Sequence, residues 1–377
     1  MGEYNWRKER EKYRPDFRKT PKEEQLVQQP PVQTVIVQKP RSRFVAWLIA
    51  GLLIVLLLFG ILAVIRATGS GQSADASSML AQAAEKNRKA VGLVVLTAVH
   101  QNGNKLPVPI GTAWAFEKNK FATNAHVANG LISTILDLKK YLASEMMGKI
   151  AAENDCKTPE ELLKKIGEQK AEQLAKECFE NVEKMIRGFE VSIQINGAHR
   201  LGYPVTHVQI HRDFGLANTK FDPDVAVFTI QGEHDCFFPL AGTNTLHSLK
   251  SGEPVAFLGF PMEKLDQGNV NIDNPVASMQ SGIVVAVSDF EMKDAGRDGN
   301  LLIRHNLPST GGASGSPIFN RKGEVVALLY AGNMIGQVMK DGEIDRAPSA
   351  AQINFAVRAD LLKGMGEPVE IQTFLKQ

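Results

Sequence analysis

Cysteine is scarce in this chain: Cys156, Cys178 and Cys236 are the only three in 377 residues. Three is too few, and of the wrong parity, for a disulfide framework, so the thiols are expected to be free, with at most one bridge, involving Cys236. Cys156 and Cys178 are not expected to pair with each other, because the stretch between them reads as one helix. About 20 residues at 1.5 Å each would hold them roughly 30 Å apart, against a limit of about 7 Å for a bridge. An excess of either charge is also missing. The 43 Lys+Arg against 41 Asp+Glu leave a net +2, which offers no electrostatic footprint for nucleic acid. Metal-ligand spacing is nearly absent. His207 and His211 have the four-residue step of a helical zinc pair, but the alternation of Val208 and Ile210 between them reads as a strand, where the two rings would lie about 13 Å apart. Neither a metal nor a cofactor is expected.

Long apolar runs are lacking too, with one exception. Residues 44 to 65, Phe44 to Ile65, carry no charge. At 1.5 Å per residue they span about 33 Å, enough to cross the roughly 30 Å core of a bilayer. The run is too long, and lies too far from the N-terminus, for a cleaved signal peptide. It reads as a single transmembrane helix, 44–66 with its flank. The preceding residues 1–43 are polar, rich in charge and broken by Pro15, Pro21, Pro30, Pro31 and Pro40, the composition of a disordered tail. Basic residues crowd that flank, so the tail is expected in the cytoplasm and everything beyond Arg66 across the membrane, in the periplasm or outside the cell. Residues 67–90 read as a small-residue linker followed by a helix over Met79–Ala90, with Ser77 or Ser78 as its N-cap.

From residue 91 the pattern becomes that of strands. Val91–Val99 opens a globular part that runs to 377; Pro109–Phe116 and Phe121–Asn124 read as a hairpin ending at His126. After Gly130 the period changes. Ile132–Ala152 and Glu160–Arg187 carry apolar residues at helical spacing, and Thr158-Pro159-Glu160-Glu161 supplies a cap, a first-turn proline and a capping-box glutamate. A helical hairpin is therefore expected at about 131–187. Strands resume at Phe189–Ile195, Leu201–His211 and Asp224–Ile230, completing a first barrel. Pro254–Phe260, Ser278–Ser288, Leu301–His305, Ser316–Asn320, Glu324–Tyr330 and Gln352–Val357 are enough for a second barrel of six.

The candidate chemistry centres on Thr310-Gly311-Gly312-Ala313-Ser314-Gly315-Ser316-Pro317. A serine between glycines suits a sharp turn that another molecule can approach closely. A hydroxyl is a poor nucleophile without a base and a group to orient that base. His126, in Thr123-Asn124-Ala125-His126-Val127, and Asp224, in Asp224-Val225-Ala226-Val227, supply both, in the order His, Asp, Ser. Asp222 and the more distant Asp213 are rivals for the carboxylate; Asp224 is preferred because Val-Ala-Val follows it directly.

These three segments resemble the signatures of the trypsin-like serine peptidases, nearest the bacterial Deg/HtrA branch. Phe257-Leu258-Gly259-Phe260-Pro261, Gly282-Ile283-Val284 and Ile353-Asn354-Phe355-Ala356-Val357 extend the resemblance over roughly 91–360, apart from the helical insertion. Ala113 departs mildly from the usual Gly-Thr-Gly. The resemblance implies a chymotrypsin-like double six-stranded β-barrel, a triad of His126, Asp224 and Ser314, an oxyanion hole at the amides of Gly312 and Ser314, and a protein or peptide substrate. It also implies a bare protease, since too little chain follows for a PDZ domain. Pro308, six residues before Ser314, leaves no acid where the trypsins carry their specificity residue, which disfavours a basic P1 side chain. The competing reading is a catalytically silent binding or scaffolding module that acts through the helical insertion. A third is an enzyme assembled only when those helices meet a partner or another copy.

Overall fold

A computed structural model describes residues 76–217, 220–262, 271–331, 334–338, 344–348 and 353–377. The expected tail and transmembrane helix, 1–43 and 44–66, lie outside the described residues. Among the described residues no helix is long and apolar enough to cross a membrane.

The chain enters as a helix over residues 76–87 (α1) and a short 3-10 turn, Arg88–Ala90. Ser77 and Ser78 lie inside that helix rather than before it. Six antiparallel strands follow: β1 (Val91–His100), β2 (Lys105–Glu117), β3 (Lys120–Thr123), β4 (Ile186–Ile195), β5 (Gly202–Ile210) and β6 (Ala226–Ile230). Their order is β5-β4-β1-β2-β3-β6, and pairing of β5 with β6 closes the barrel. Alternating inward residues such as Val94, Leu96, Phe121, Ile193 and Phe228 fill it.

The second barrel takes β7 (Pro254–Gly259), β8 (Ser278–Ser288), β9 (Leu302–His305), β10 (Pro317–Phe319) and β11 (Val325–Ala331). A hairpin, β12 (Met334–Val338) with β13 (Ile344–Pro348), intervenes before the closing strand β14 (Asn354–Arg358). The order is β10-β11-β14-β9-β8-β7, with β7 paired to β10. The molecule thus has two closed six-stranded antiparallel barrels of chymotrypsin-like arrangement. The seam between them is aromatic: buried Trp114 of β2 meets Phe238 edge-on (6.4 Å), and Phe238 stacks on Phe319 of β10 (5.3 Å). Leu80 of α1 is buried in the same cluster.

Several expectations need correction. The helical stretch begins not after Gly130 but at Ala125, and runs unbroken to Glu153 (α2). The hairpin is three helices, with α3 (Pro159–Ile166) and α4 (Glu168–Met185) separated by Gly167 at φ 83°, a left-handed conformation that glycine adopts freely. Thr158 caps α3 as read, its hydroxyl accepting from the Glu161 amide (3.3 Å), while Glu161 accepts from the Lys157 amide (2.7 Å). The break means that no single helix joins Cys156 to Cys178. They sit in separate small cores, and all three cysteines are free. Strand β4 starts at Ile186, within the stretch read as helix. The C-terminus returns to the first barrel, where β15 (Val369–Glu370) pairs with β5 and Ile371 and Phe374 are buried in the barrel's core.

Candidate active site

Asn124 stands immediately before α2 in extended conformation, the N-cap position, yet its side chain makes no cap hydrogen bond. Its Nδ2 instead donates to the backbone carbonyl of Asp224 (2.8 Å). The first turn of α2 then lacks the acceptor that an N-cap side chain would offer to its orphan amides. Asp224, just before the neighbouring strand β6, supplies one: its Oδ1 accepts from the His126 amide (2.8 Å). The other oxygen, Oδ2, meets the His126 ring at Nδ1 (2.5 Å). One carboxylate therefore caps the helix and clamps the imidazole that the helix carries. The Asp224 side chain is 6% exposed and that of His126 is 44% exposed, so a dry carboxylate orients a ring that solvent and other molecules can reach. His126 Nε2 has no hydrogen-bond partner among the described residues.

The rival carboxylates are engaged elsewhere. Asp222 is exposed and accepts from the Gly215 amide (3.0 Å). Asp213 lies 3.8 Å from Nδ1 of a different ring, His211. His207 is exposed and His211 buried, on an extended stretch; burial pushes the His211 pKa down. Tyr330, on β11, is partly buried. Its phenol is pushed up to about 12 by that burial, with the negative charges of Asp224 and Asp222 adding to the effect.

The loop around Ser314 is fixed by its carbonyls. Because a trans peptide carries its C=O and N–H on opposite edges of one plane, anchoring the carbonyl aims the following amide the other way. The Gly311 carbonyl accepts from the Met262 amide (2.6 Å), and the Gly312 amide in the same plane donates to nothing among the described residues. The Gly312 carbonyl accepts from Thr112 Oγ1 (2.9 Å), and its partner amide, Ala313, closes a turn onto the Thr310 carbonyl (3.1 Å). The Ala313 carbonyl accepts from the Ser316 amide (3.0 Å) and hydroxyl (2.6 Å), and the Ser314 amide in that plane is again unengaged. Finally, the Ser314 carbonyl accepts from the Thr112 amide (3.0 Å), while the Gly315 amide donates to Leu329 (2.9 Å). Two amides, those of Gly312 and Ser314, are left free in a loop whose carbonyls are tied down. Gly312 has φ 87°, and a Cβ there would lie 2.6 Å from the Phe260 carbonyl oxygen, so a side chain would displace the loop.

Thr112 ties this loop to the histidine. Fully buried on β2, it bonds the Ser314 loop through its amide and hydroxyl, and its hydroxyl also accepts from the Phe260 amide (3.0 Å) beyond β7. Its carbonyl accepts from Thr123 Oγ1 (2.8 Å), one residue before Asn124. The described structure thus couples His126 to Asp224 directly and to the Ser314 loop through Thr112. No hydrogen bond joins the Ser314 hydroxyl to the imidazole. The sequence reading missed Thr112, Thr123, Ser316 and Tyr330. The signals open to it were Thr112 beside Gly111 and Thr123 beside Asn124, neither of which states a partner.

A family model for the trypsin-like peptidase domain matches residues 111–328, that is 218 of the 377 positions (328 − 111 + 1). No curated protein matches the sequence. Among solved structures the chain is similar to the HtrA-type protease AlgW with decapeptide, at 12% identity and TM-score 0.41 over 79% of this chain and 68% of that one. A variant of AlgW with the decapeptide is similar at 13% identity and TM-score 0.41, over 75% and 64%. With more than half its length matched to that family model, and with two closed barrels flanking the paired His126 and Asp224, the chain belongs to the trypsin-like peptidase domain family.

Proposed function

We propose that the chain is a membrane-anchored serine endopeptidase that cuts proteins or peptides outside the cytoplasm through an acyl-enzyme. Ser314 Oγ attacks the scissile carbonyl carbon as His126 Nε2 takes its proton. Asp224 holds the ring by Nδ1 and stabilises the imidazolium that forms. The carbonyl oxygen, now negative, is met by the amides of Gly312 and Ser314. His126 returns its proton to the leaving amine. The resulting ester is hydrolysed by a water activated in the same way, which frees Ser314. The hydroxyl–imidazole bond is among those that commonly tighten only when substrate is bound. Residues 44–65 anchor the enzyme, with the tail 1–43 in the cytoplasm and the barrels in the periplasm or outside the cell. The helices α2, α3 and α4 are a candidate surface for a protein partner or another copy.

The observation that carries this reading is the double use of Asp224, one oxygen on the His126 amide and the other on its ring, which fixes the tautomer a general base needs. The test is labelling of the full chain with a fluorophosphonate, followed by mass mapping of the modified residue. The expected result is a single adduct on Ser314, absent from Ser314→Ala and strongly reduced in His126→Ala. No adduct in the wild type, or one that persists in Ser314→Ala, would favour the silent-module reading instead.

A further inference from the structure

The Ser316 hydroxyl has no place in the triad chemistry, yet the fold makes room for it. Ser316 is fully buried, and its Oγ donates to the Ala313 carbonyl at 2.6 Å. The neighbouring position at the end of β7 is Gly259, where any Cβ would fall on that hydroxyl. A buried hydroxyl for which a neighbouring strand must stay bare is an expensive feature for a stretch that the backbone already turns. The Ser316 amide alone reaches the same carbonyl at 3.0 Å.

The consequence lies across the peptide plane. The Ala313 carbonyl and the Ser314 amide share one rigid unit, so two donors on the carbonyl hold the amide in one orientation, where a single donor would let the plane rock. The Ser314 amide is one of the two donors proposed for the oxyanion. Preorganised donors stabilise developing charge because they need no reorientation as the reaction proceeds. We propose that Ser316 is a positioning residue for acyl transfer: its hydroxyl fixes the Ser314 peptide so that the amide points at the oxyanion. This inference rests on the serine-peptidase reading given above.

The experiment compares full-length wild type with Ser316→Ala, which keeps the backbone bond and loses the hydroxyl. On a peptide ester or amide substrate, kcat should fall about tenfold, less than the roughly 100- to 1000-fold that follows removal of a whole donor. KM should stay within about twofold, since the ground-state carbonyl makes little use of the hole. Affinity for a peptide aldehyde, whose adduct carries the oxyanion, should fall in step with kcat, and the acid limb of the kcat/KM profile should not move. Ser316→Cys, nearly isosteric but with a weaker donor, should fall between the two and serves if the alanine variant does not fold. Ser288→Ala removes another buried hydroxyl, bonded to the Asp289 carbonyl, and should leave kcat unchanged. The proposal is overturned if Ser316→Ala keeps kcat within twofold, if its loss appears equally in KM, if the acid limb shifts, or if Ser288→Ala loses as much. A wild type that takes up no fluorophosphonate would instead remove the peptidase reading, and this inference with it.

Discussion

The two barrels contribute to the site in different currencies. The first gives side chains: an imidazole on the opening turn of α2 and a carboxylate just before β6 that both clamps the ring and caps the helix. The second gives main chain, a loop before β10 whose carbonyls are anchored by Thr112, Met262 and Ser316 and whose free amides are those of Gly312 and Ser314. Side-chain chemistry depends on which residue is present. Main-chain chemistry depends on how rigidly a peptide is held, and so on residues that take no part in the reaction. Ser314 alone offers both kinds of group, a side-chain hydroxyl and one of the two free amides.

This contrast can be sharpened by damaging each half separately. Asp224→Asn keeps the shape of the first-barrel pair but allows the wrong histidine tautomer, and turnover of a peptide substrate should fall about 10,000-fold. Gly312→Ala leaves the pair untouched and disturbs the loop, because a Cβ would press on the Phe260 carbonyl and the Met262 side chain at a φ that alanine resists. It should cost about 100- to 1000-fold, mostly in kcat. The contrast would break if Gly312→Ala matched Asp224→Asn, or if it left the rate unchanged.

A smaller effect should be common to both barrels. His305 of β9 is fully buried and accepts from the Leu307 amide at Nδ1 (3.2 Å); burial pushes its pKa down to about 4. His211 and His234, beside the first barrel, are lowered in the same direction by burial. An unfolded histidine titrates near 6.5. Between roughly pH 6.5 and 4 the unfolded chain therefore binds more protons than the folded one, and stability must fall as the pH drops through that window. The urea midpoint should be lower at pH 5 than at pH 7, and equal midpoints would contradict a neutral buried His305.

The same division explains what could be read in advance. The pairing of His126 with Asp224 was legible because its chemistry is in the side chains and each residue adjoins an apolar strand. Thr112 and Ser316 were not, because a threonine or serine in a strand or turn carries no mark of the carbonyl it will hold. Twelve strands of the two barrels could be read from alternation and turn residues. The two-residue β15 is too short to show any period. The start of α2 was misplaced because Asn129-Gly130 is a turn signature. The helix runs through it nonetheless, accepting about 1 kcal/mol for an internal glycine, since Val127, Ala128 and Leu131 are buried in the barrel core. Asn124 was a legible cap residue whose side chain is used elsewhere.

The most direct test of the account is a crystal structure of the enzyme reacted with a peptide boronate, which mimics the tetrahedral state. The account predicts a covalent bond from boron to Ser314 Oγ, one boronate oxygen within about 3 Å of both the Gly312 and Ser314 amides, and His126 still held by Asp224 through Nδ1. A boronate bound without that covalent bond, or one whose oxygens make no contact with either amide, would contradict it.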